Sequence, residues 1–399
     1  MYRQGTFVSY KFKMATNVEI MAEHIIAQAD MFDKYSKGLY EKCLDFLTKA
    51  NRKINKVYIT GCGDSYFAGV CVKDFFFNKT KCHTEALQAL EFSRYTLPKE
   101  VDENSLVISI SASGSVARTA ECAIRAGEKG ALSVGITTNP ESRLAKLSPQ
   151  LLYIKLEENL GLAPGTQSYC ASLLSLHCLA TALGKINGTL NDSDVDEIFA
   201  YISSICKAMR LTANIDSPLI RKYVETIFGD KATKHINMYH VLGSGPNFGT
   251  ANFGVMKLLE AAGFDSLAQG IEEWAHSQYF TTKETIHTII IAPKGESHER
   301  ALEILSAVKV MNGTKIIIGE ENDEELVKEA DVFIPICGVN NLKEEYSGLI
   351  YCIPLELLSM HISDCVGHSG FQFEEKPWIK VENFKQIFHS RIVSLKDED

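Results

Sequence analysis

The sequence of 399 residues predicts an α/β protein with two tandem, doubly wound, mostly parallel sheets behind an N-terminal helical segment. Two observations predict this architecture. Short apolar runs alternate with amphipathic segments, as they do in βαβ units. The pattern of the first half also returns in the second half after about 182 residues, which is the sign of a duplicated unit.

The N-terminal segment, residues 1–50, is predicted to be mainly helical. Apolar residues recur at helical spacing from residue 17 onwards. We expect a break at Gly38, because glycine weakens a helix interior, and a second helical run from Leu39 to Leu47. Residues 1–13 precede Met14 and are either a late-ordering extension or a misassigned start.

The first α/β unit is predicted over residues 51–190. A helix from Thr166 to Leu183 closes it, and a helical connection over 191–230 follows. Its five predicted strands are VYIT (57–60), a short strand at 83–86, SLVISIS (105–111), ALSVGITT (131–138) and LLYIKL (151–156).

The second unit, residues 231–372, is predicted from its match to the first. VLGSG (241–245) corresponds to ITGCG (59–63), so that both glycine pairs are 182 residues apart. HTIIIA (287–292) follows SLVISI (105–110) at the same offset. Chance apolar strands would not hold so constant a spacing. A C-terminal tail, residues 373–399, completes the chain.

Composition limits the partners. The net charge is −9, and no block of Lys or Arg is present, so we expect neither nucleic acid nor a membrane as a partner. The eleven cysteines form no C-x-x-C pair and lie mostly in apolar runs, so we expect them to be buried and reduced in a cytoplasmic protein. No secretory signal, apolar membrane span or metal-ligand spacing is visible, and we expect no metal or other cofactor.

Hydroxyl-rich turns follow two strands of the first unit. They are GCGDSYFAG (61–69) and SASGSVART (111–119), and a third turn, LAPGTQSY (162–169), opens the closing helix. Ligands of parallel sheets bind beyond the carboxyl ends of the strands, where helix N-termini attract anions. The predicted phosphate-binding residues are Gly63, Ser65, Ser111, Ser113, Ser115 and Thr166. Any one of these serines could instead be a helix cap.

A dinucleotide site is the rival interpretation of the first turn. GCGDSYFAG begins like G-x-G-x-x-G, and Glu85 lies about where the ribose-binding acid is expected. However, Tyr66 occupies the position of the third glycine, where a ring would prevent close helix–strand contact. The sequence therefore favours phosphate over nicotinamide binding.

The second unit contains the candidate catalytic residues in residues 253–280. Lys257 and Glu260 are three residues apart and share one face of a predicted helix, and His276 follows them. A carboxylate and an imidazole in one pocket suit proton transfer on a sugar. The alternative is a solvated Lys257–Glu260 surface pair with His276 packed locally.

These motifs together resemble the sugar isomerase (SIS) family, and most of all its double-domain members. Those members are the isomerase half of glutamine:fructose-6-phosphate aminotransferase, the amino-sugar-phosphate deaminases and the fructosamine-6-phosphate deglycases. The resemblance rests on G-C-G-D-S-Y, S-x-S-G-S, K-x-x-E and a His sixteen residues after the Glu, and covers roughly residues 50–370. It implies a doubly wound fold and a homodimer with the site at the subunit interface.

The resemblance also implies roles for individual residues. Ser65, Ser111 and Ser113 match phosphate-binding serines of the family. Glu260 matches the base that moves a proton between sugar carbons, on the same K-x-x-E helix as Lys257. His276 matches the residue that assists ring opening or acts as the partner acid, often from the neighbouring subunit.

Three features depart from the family pattern. Val116 stands where the family has Thr or Ser, so one phosphate hydroxyl is missing. The tail FQFEEKPWIKVENFKQIFHSRIV offers only Lys376 and Lys380 as candidates for a Schiff-base lysine. We expect no glutaminase domain and no helix-turn-helix domain.

The sequence therefore predicts an enzyme that deaminates or deglycates an amino- or amine-conjugated hexose 6-phosphate, with aldose–ketose isomerisation. Two alternatives stay open: a plain sugar-phosphate isomerase, and a non-catalytic sugar-phosphate sensor. A sensor has no need of both Glu260 and His276.

Overall fold

The computed structural model describes residues 17–156, 163–229, 236–368, 370–372 and 385–397. The strands within them are β1 (Lys56–Gly61), β2 (His83–Gln88), β3 (Ser105–Ile110), β4 (Leu132–Thr137), β5 (Gln150–Tyr153), β6 (Met238–Leu242), β7 (Ser266–Gln269), β8 (Ile286–Ile291), β9 (Thr314–Glu320) and β10 (Val332–Ile336). The α-helices are α1 (Asn17–Ala50), α2 (Asp64–Thr80), α3 (Ala89–Glu91), α4 (Leu97–Glu100), α5 (Ala117–Glu128), α6 (Arg143–Leu147), α7 (Gln167–Ile186), α8 (Asp192–Phe228), α9 (Pro246–Ala262), α10 (Ile271–His276), α11 (His298–Val310), α12 (Glu324–Glu329) and α13 (Cys352–Val366).

The strands form two parallel five-stranded sheets. The first has the order β2-β1-β3-β4-β5, and the second has the order β7-β6-β8-β9-β10. The two orders are identical when β6 is counted as the equivalent of β1. The predicted strands are thus confirmed as two sheets with one topology, although β5 ends at Tyr153, short of the predicted residue 156.

The two sheets are joined through helices that pack between them. Helix α2 packs on β1 and β2, α9 packs on β6 and β7, and α2 and α9 pack against each other. One continuous apolar core includes Val57 and Ile108 from the first sheet and Ile289 and Ile316 from the second. Each such side chain contributes about 1.5–3 kcal/mol when fully buried, so the two units share most of their stabilising core.

The structure of helix α1 differs from the prediction of a break at Gly38. The expected break at Gly38 is wrong, because α1 runs unbroken for 34 residues. Gly38 is exposed, whereas Phe32, Leu39 and Cys43 are buried on a helix that packs along α7. Glycine destabilises a helix interior by about 0.5–1 kcal/mol, which burial of a single large side chain outweighs.

Two segments are long and apolar enough to cross a membrane by composition alone. They are α7 and residues 344–366, which includes a 3-10 helix (Glu344–Leu349) and α13. In both, the apolar window is largely buried inside the protein, by 89% and 83%. These segments therefore have the burial of core helices.

Most cysteines are buried, as predicted, with two exceptions. All eleven are free thiols, and most are buried, but Cys62 is exposed and Cys365 is half-buried. Cys62 lies in the glycine turn after β1.

Candidate active site

The turn after β1 is shaped by two glycines. A side chain at Gly61 would lie 2.7 Å from the Cβ of Ser65 and 3.0 Å from the carbonyl oxygen of Ile110. Gly63 has a φ of 54° and precedes α2 without any side-chain cap. The turn is therefore tight, Ser65 is buried, and the N–H groups that begin α2 are not capped by a side chain, as an anion site requires.

The turn after β3 presents serine hydroxyls. Ser111 is buried, and its Oγ has no hydrogen-bond partner. Gly114 has a φ of 64°, and a side chain there would lie 1.9 Å from the Oγ of Ser142. The N–H of Ser115 donates to Ser113 Oγ at 3.2 Å, and α5 has no side-chain cap. The helix-cap alternative is therefore wrong for the serines of this turn.

Thr166 lies at the start of α7. It is fully buried, its Oγ1 has no hydrogen-bond partner, and it does not cap the helix. The preceding Gly165 lies close to Asp64: a Cβ at this glycine would be 3.7 Å from Asp64 Oδ2. The starts of α2 and α7 therefore meet at the carboxyl edge of the first sheet.

The second unit reaches this edge through Lys257 on α9. The lysine side chain is 0% exposed, and its Nζ donates to Asp64 Oδ2 at 2.7 Å and also to Glu260 Oε2. Its Nζ lies 5.2 Å from the ring centroid of Phe253, which stacks on Tyr169. The surface-pair alternative is therefore wrong, although Glu260 keeps 31% of its side chain exposed.

For both Lys257 and Asp64, burial and the charge of the ion-pair partner shift the pKa in opposite directions. Burial alone would lower the pKa of Lys257, but the carboxylates of Asp64 and Glu260 raise it above its ordinary value. Burial also raises the pKa of Asp64 to about 7, against the pull of Lys257, and the charge of Glu260 adds to that rise. The lysine is thus held as a cation, while Asp64 can exchange a proton near neutral pH.

A further carboxyl group, that of Glu356, lies near Lys257 and Asp64. Glu356 on α13 is fully buried and accepts a hydrogen bond from Gln28 Nε2 at 2.7 Å. Burial raises the pKa of Glu356 to about 8, and the nearby charge of Lys257 acts in the opposite direction. The sequence prediction missed both Asp64 and Glu356. One signal was present: Glu356 is the only charged residue in CIPLELLSM (352–360).

His276 is not brought to this cluster within the chain. It is 70% exposed on α10, and its Nε2 lies 3.2 Å from Glu272 Oε1. Glu272 also accepts a hydrogen bond from Arg300 at 2.7 Å. Among the hydrogen bonds and ion pairs of the described residues, none joins His276 to Lys257 or Glu260.

Different side-chain contacts occur at the corresponding edge of the second sheet. Gly245 repeats the turn of the first unit with a φ of 53°, but Asn247 there donates to Ser347 Oγ at 2.9 Å. The carboxylate of Glu344 accepts the backbone N–H of Glu296 at 2.9 Å. A side-chain carboxylate therefore already occupies this edge of the second sheet.

Among the described residues, one group of side chains could hold a metal ion. The ligand atoms of Cys170, Cys352 and Glu356 all lie within 4.8 Å of one another, and the two sulfurs are 3.9 Å apart. The expectation of no ligand cluster rested on short sequence spacing, whereas these cysteines are 182 residues apart. Spacing along the chain therefore could not reveal the group.

The end of the chain returns to the first unit. The N–H of Val393 donates to Glu121 on α5 at 2.8 Å, and the N–H of Leu395 donates to Glu128 at 2.8 Å. The candidate Schiff-base residues Lys376 and Lys380 lie outside the described residues.

Part of the chain matches a known domain family, and most of it is similar in sequence to known enzymes. Residues 52–182 match the SIS domain. The chain is 28% identical over 317 residues to glutamine–fructose-6-phosphate aminotransferase (isomerizing) from Pyrococcus horikoshii, a match that covers 79% of this chain and 50% of the relative. The same enzyme from Thermus thermophilus is 27% identical over 318 residues, with the same coverage. The chain thus spans about half the length of these curated relatives.

Solved structures share the fold. The C-terminal domain of glucosamine-fructose-6-phosphate aminotransferase from Francisella tularensis has a TM-score of 0.74 at 21% identity, with 92% of this chain and 100% of that domain covered. Glucosamine-6-phosphate deaminase from Thermotoga maritima has a TM-score of 0.66 at 20% identity, with 88% and 97% covered. At these identities the likeness concerns architecture.

The Lys257–Asp64 contact can be tested by a double-mutant cycle. We expect Lys257→Met to destabilise the protein by about 3–5 kcal/mol, because it leaves buried carboxyls without their cation. Adding Asp64→Asn should restore part of that loss, with a coupling energy of at least about 1 kcal/mol in urea unfolding. The exposed pair Arg221–Glu225 on α8 is the control, with about 0.3–0.5 kcal/mol expected. Additive effects of Lys257→Met and Asp64→Asn would contradict the contact.

Proposed function

Because residues 52–182 form a SIS domain, we propose that this protein is an enzyme that acts on an amino- or amine-conjugated hexose 6-phosphate. The reaction is deamination or deglycation coupled to aldose–ketose isomerisation. The observation that carries the proposal is the ion pair between Lys257 and Asp64. It brings Glu260 of the second unit next to the serine turns of the first.

The phosphate binds at the carboxyl edge of the first sheet. Its ligands are the backbone after Gly63 and the hydroxyls of Ser65, Ser111, Ser113, Ser115 and Thr166. The buried, unpartnered oxygens of Ser111 and Thr166 support this role, since a buried hydroxyl without a partner destabilises the free protein by about 1–3 kcal/mol. Hydroxyls and N–H groups bind a phosphate without a basic field, as an acidic chain requires.

Glu260 is the base of the reaction. It removes the proton next to the carbonyl or imine carbon, and its partly exposed side chain supports access to substrate. Lys257 stabilises the negative charge that develops on the sugar. Positioned acid–base catalysis of this kind accelerates a reaction by roughly 10²–10⁴-fold.

The second unit, residues 231–372, is part of the proposal as a second SIS-type domain, supported by the shared strand order. The protein acts as a homodimer in the cytoplasm, and His276 protonates the ring oxygen or the leaving amine in the partner's site. The exposure of His276 supports a role outside its own chain.

A plain sugar-phosphate isomerase is the second candidate function. It uses the same phosphate site and the same base, without release of an amine. An assay of amine or ammonia release from a panel of amino-sugar and fructosamine 6-phosphates distinguishes the two functions. Sugar interconversion with no release of amine from any of them would favour the isomerase.

The phosphate site is tested by the double variant Ser111→Ala and Ser113→Ala. Each lost hydrogen bond to a charged group is worth about 1.5–3 kcal/mol, so calorimetric titration with a hexose 6-phosphate should show affinity at least about tenfold weaker. Ser109→Ala is the matched control, because its buried, unpartnered hydroxyl lies within β3 and not at its end. Unchanged affinity of the double variant would move the phosphate site elsewhere.

The base is tested by Glu260→Gln, which keeps the shape of the side chain but cannot accept a proton. We expect turnover to fall by about 10²–10⁴-fold with little change in substrate binding, since the interaction is needed only in the transition state. NMR in deuterated water follows exchange of the sugar proton next to the carbonyl. Glu303→Gln, exposed on α11, should leave that exchange unchanged. Exchange at the wild-type rate in Glu260→Gln would exclude Glu260 as the base.

The shared site is tested by mixing two inactive chains. One carries Glu260→Gln and the other carries His276→Ala. Hybrid dimers should recover part of the activity, because one of their two sites then contains both functional residues. Two preparations of Glu260→Gln, mixed in the same way, are the control. If mass spectrometry shows hybrids and activity does not return, each site takes both residues from one chain.

A further inference from the structure

The buried charges around Lys257 are not balanced. Its single ammonium contacts the carboxylates of Asp64 and Glu260, and the buried carboxyl of Glu356 is close enough for the charge of Lys257 to affect it. Three carboxyl groups therefore share one cation among the described side chains of this cluster. When all are ionised, the cluster carries a net charge of −2.

Two of these carboxyl groups have raised pKa values. Burial raises the pKa of Asp64 to about 7 and that of Glu356 to about 8, although Lys257 opposes both shifts. A second cation near the cluster would favour the ionised carboxylates. The site is therefore better suited electrostatically to a positively charged ligand group than to a neutral one.

Asp64 is the carboxylate best placed to meet such a group. It is the residue before Ser65, at the edge where the serine turns lie. Its Oδ2 binds Lys257, whereas its Oδ1 is buried without a hydrogen-bond partner. About a quarter of the side chain, 23%, remains exposed, in contrast to Lys257 beneath it.

Glu260 is the second carboxylate that binds Lys257. Because Asp64 and Glu260 both accept a hydrogen bond from the Nζ of Lys257, their carboxylate oxygens are close to each other. Both side chains are partly exposed. An ammonium group entering from the phosphate side can therefore contact two carboxylates at once.

We propose that Asp64 determines specificity for amine-bearing sugar phosphates by accepting, together with Glu260, hydrogen bonds from the protonated amine of the substrate. The inference rests on the proposed function, since the serine turns bind the phosphate at the other end of the same molecule. It also separates the two candidate reactions, because a plain isomerase substrate offers only a hydroxyl at this position.

The test uses two open-chain analogues that cannot react, 2-amino-2-deoxyglucitol 6-phosphate and glucitol 6-phosphate. They differ only in an ammonium or a hydroxyl group at C2. By calorimetry the wild-type protein should bind the amine analogue at least about tenfold more tightly, as expected for a hydrogen bond to a charged group. Asp64→Asn should remove that preference while changing affinity for glucitol 6-phosphate by less than about twofold.

Two variants sharpen the test. Asp64→Glu keeps the carboxylate and should retain a preference for the amine analogue. Asp74→Asn, an exposed position on the same helix α2, should bind both analogues as the wild type does. If Asp64→Asn does not fold, Asp64→Glu tests the same position, and equal binding of the two analogues by the wild-type protein would still overturn the inference.

The outcomes are distinct. Equal binding of both analogues by the wild type overturns the inference alone and favours the isomerase. An equal loss of both analogues in Asp64→Asn also overturns it, because Asp64 then serves only to position Lys257. Binding of neither analogue overturns the proposed function itself.

Discussion

The buried ammonium of Lys257 constrains how the two halves of the chain fit together. Moving a charge of this kind out of water costs several kcal/mol unless it is paired and hydrogen-bonded. Its partner Asp64 lies 193 residues away in the other unit, so the pairing requires α9 to pack on α2 in one register. The shared apolar core permits this packing, and the ion pair defines which residues meet at its edge.

A symmetric fold therefore supports an asymmetric site. Both units have the same strand order and the same left-handed glycine, Gly63 or Gly245, before the first inner helix. In the second unit, Pro246 stands where the first unit has Asp64, and Glu344 supplies a built-in anion. Helices α2 and α9 both start without a side-chain cap, so the two edges differ in their side chains: the buried hydroxyls of Ser111 and Thr166 have no partners at the first edge.

Sequence reasoning predicted most of the fold because the relevant signals are local. Strand patterns and glycine turns recur at a fixed offset, and the hydroxyls of Ser65 and Ser111 lie in short motifs next to predicted strands. The break at Gly38 was wrong because packing of α1 on α7 outweighs the intrinsic preference of one residue. Asp64 and Glu356 were missed because their importance arises from contacts across the chain, which carry no periodic signal.

The polar atoms at the first edge show how stability and binding are connected there. Asp64 Oδ1, Ser111 Oγ and Thr166 Oγ1 are buried without partners, and each such atom destabilises a protein by about 1–3 kcal/mol. A ligand that satisfies these atoms gains its hydrogen bonds without having to order the groups first. Hydroxyls and carboxylates lie side by side at this edge, and these are the groups that would meet the phosphate and the amine of the proposed substrate.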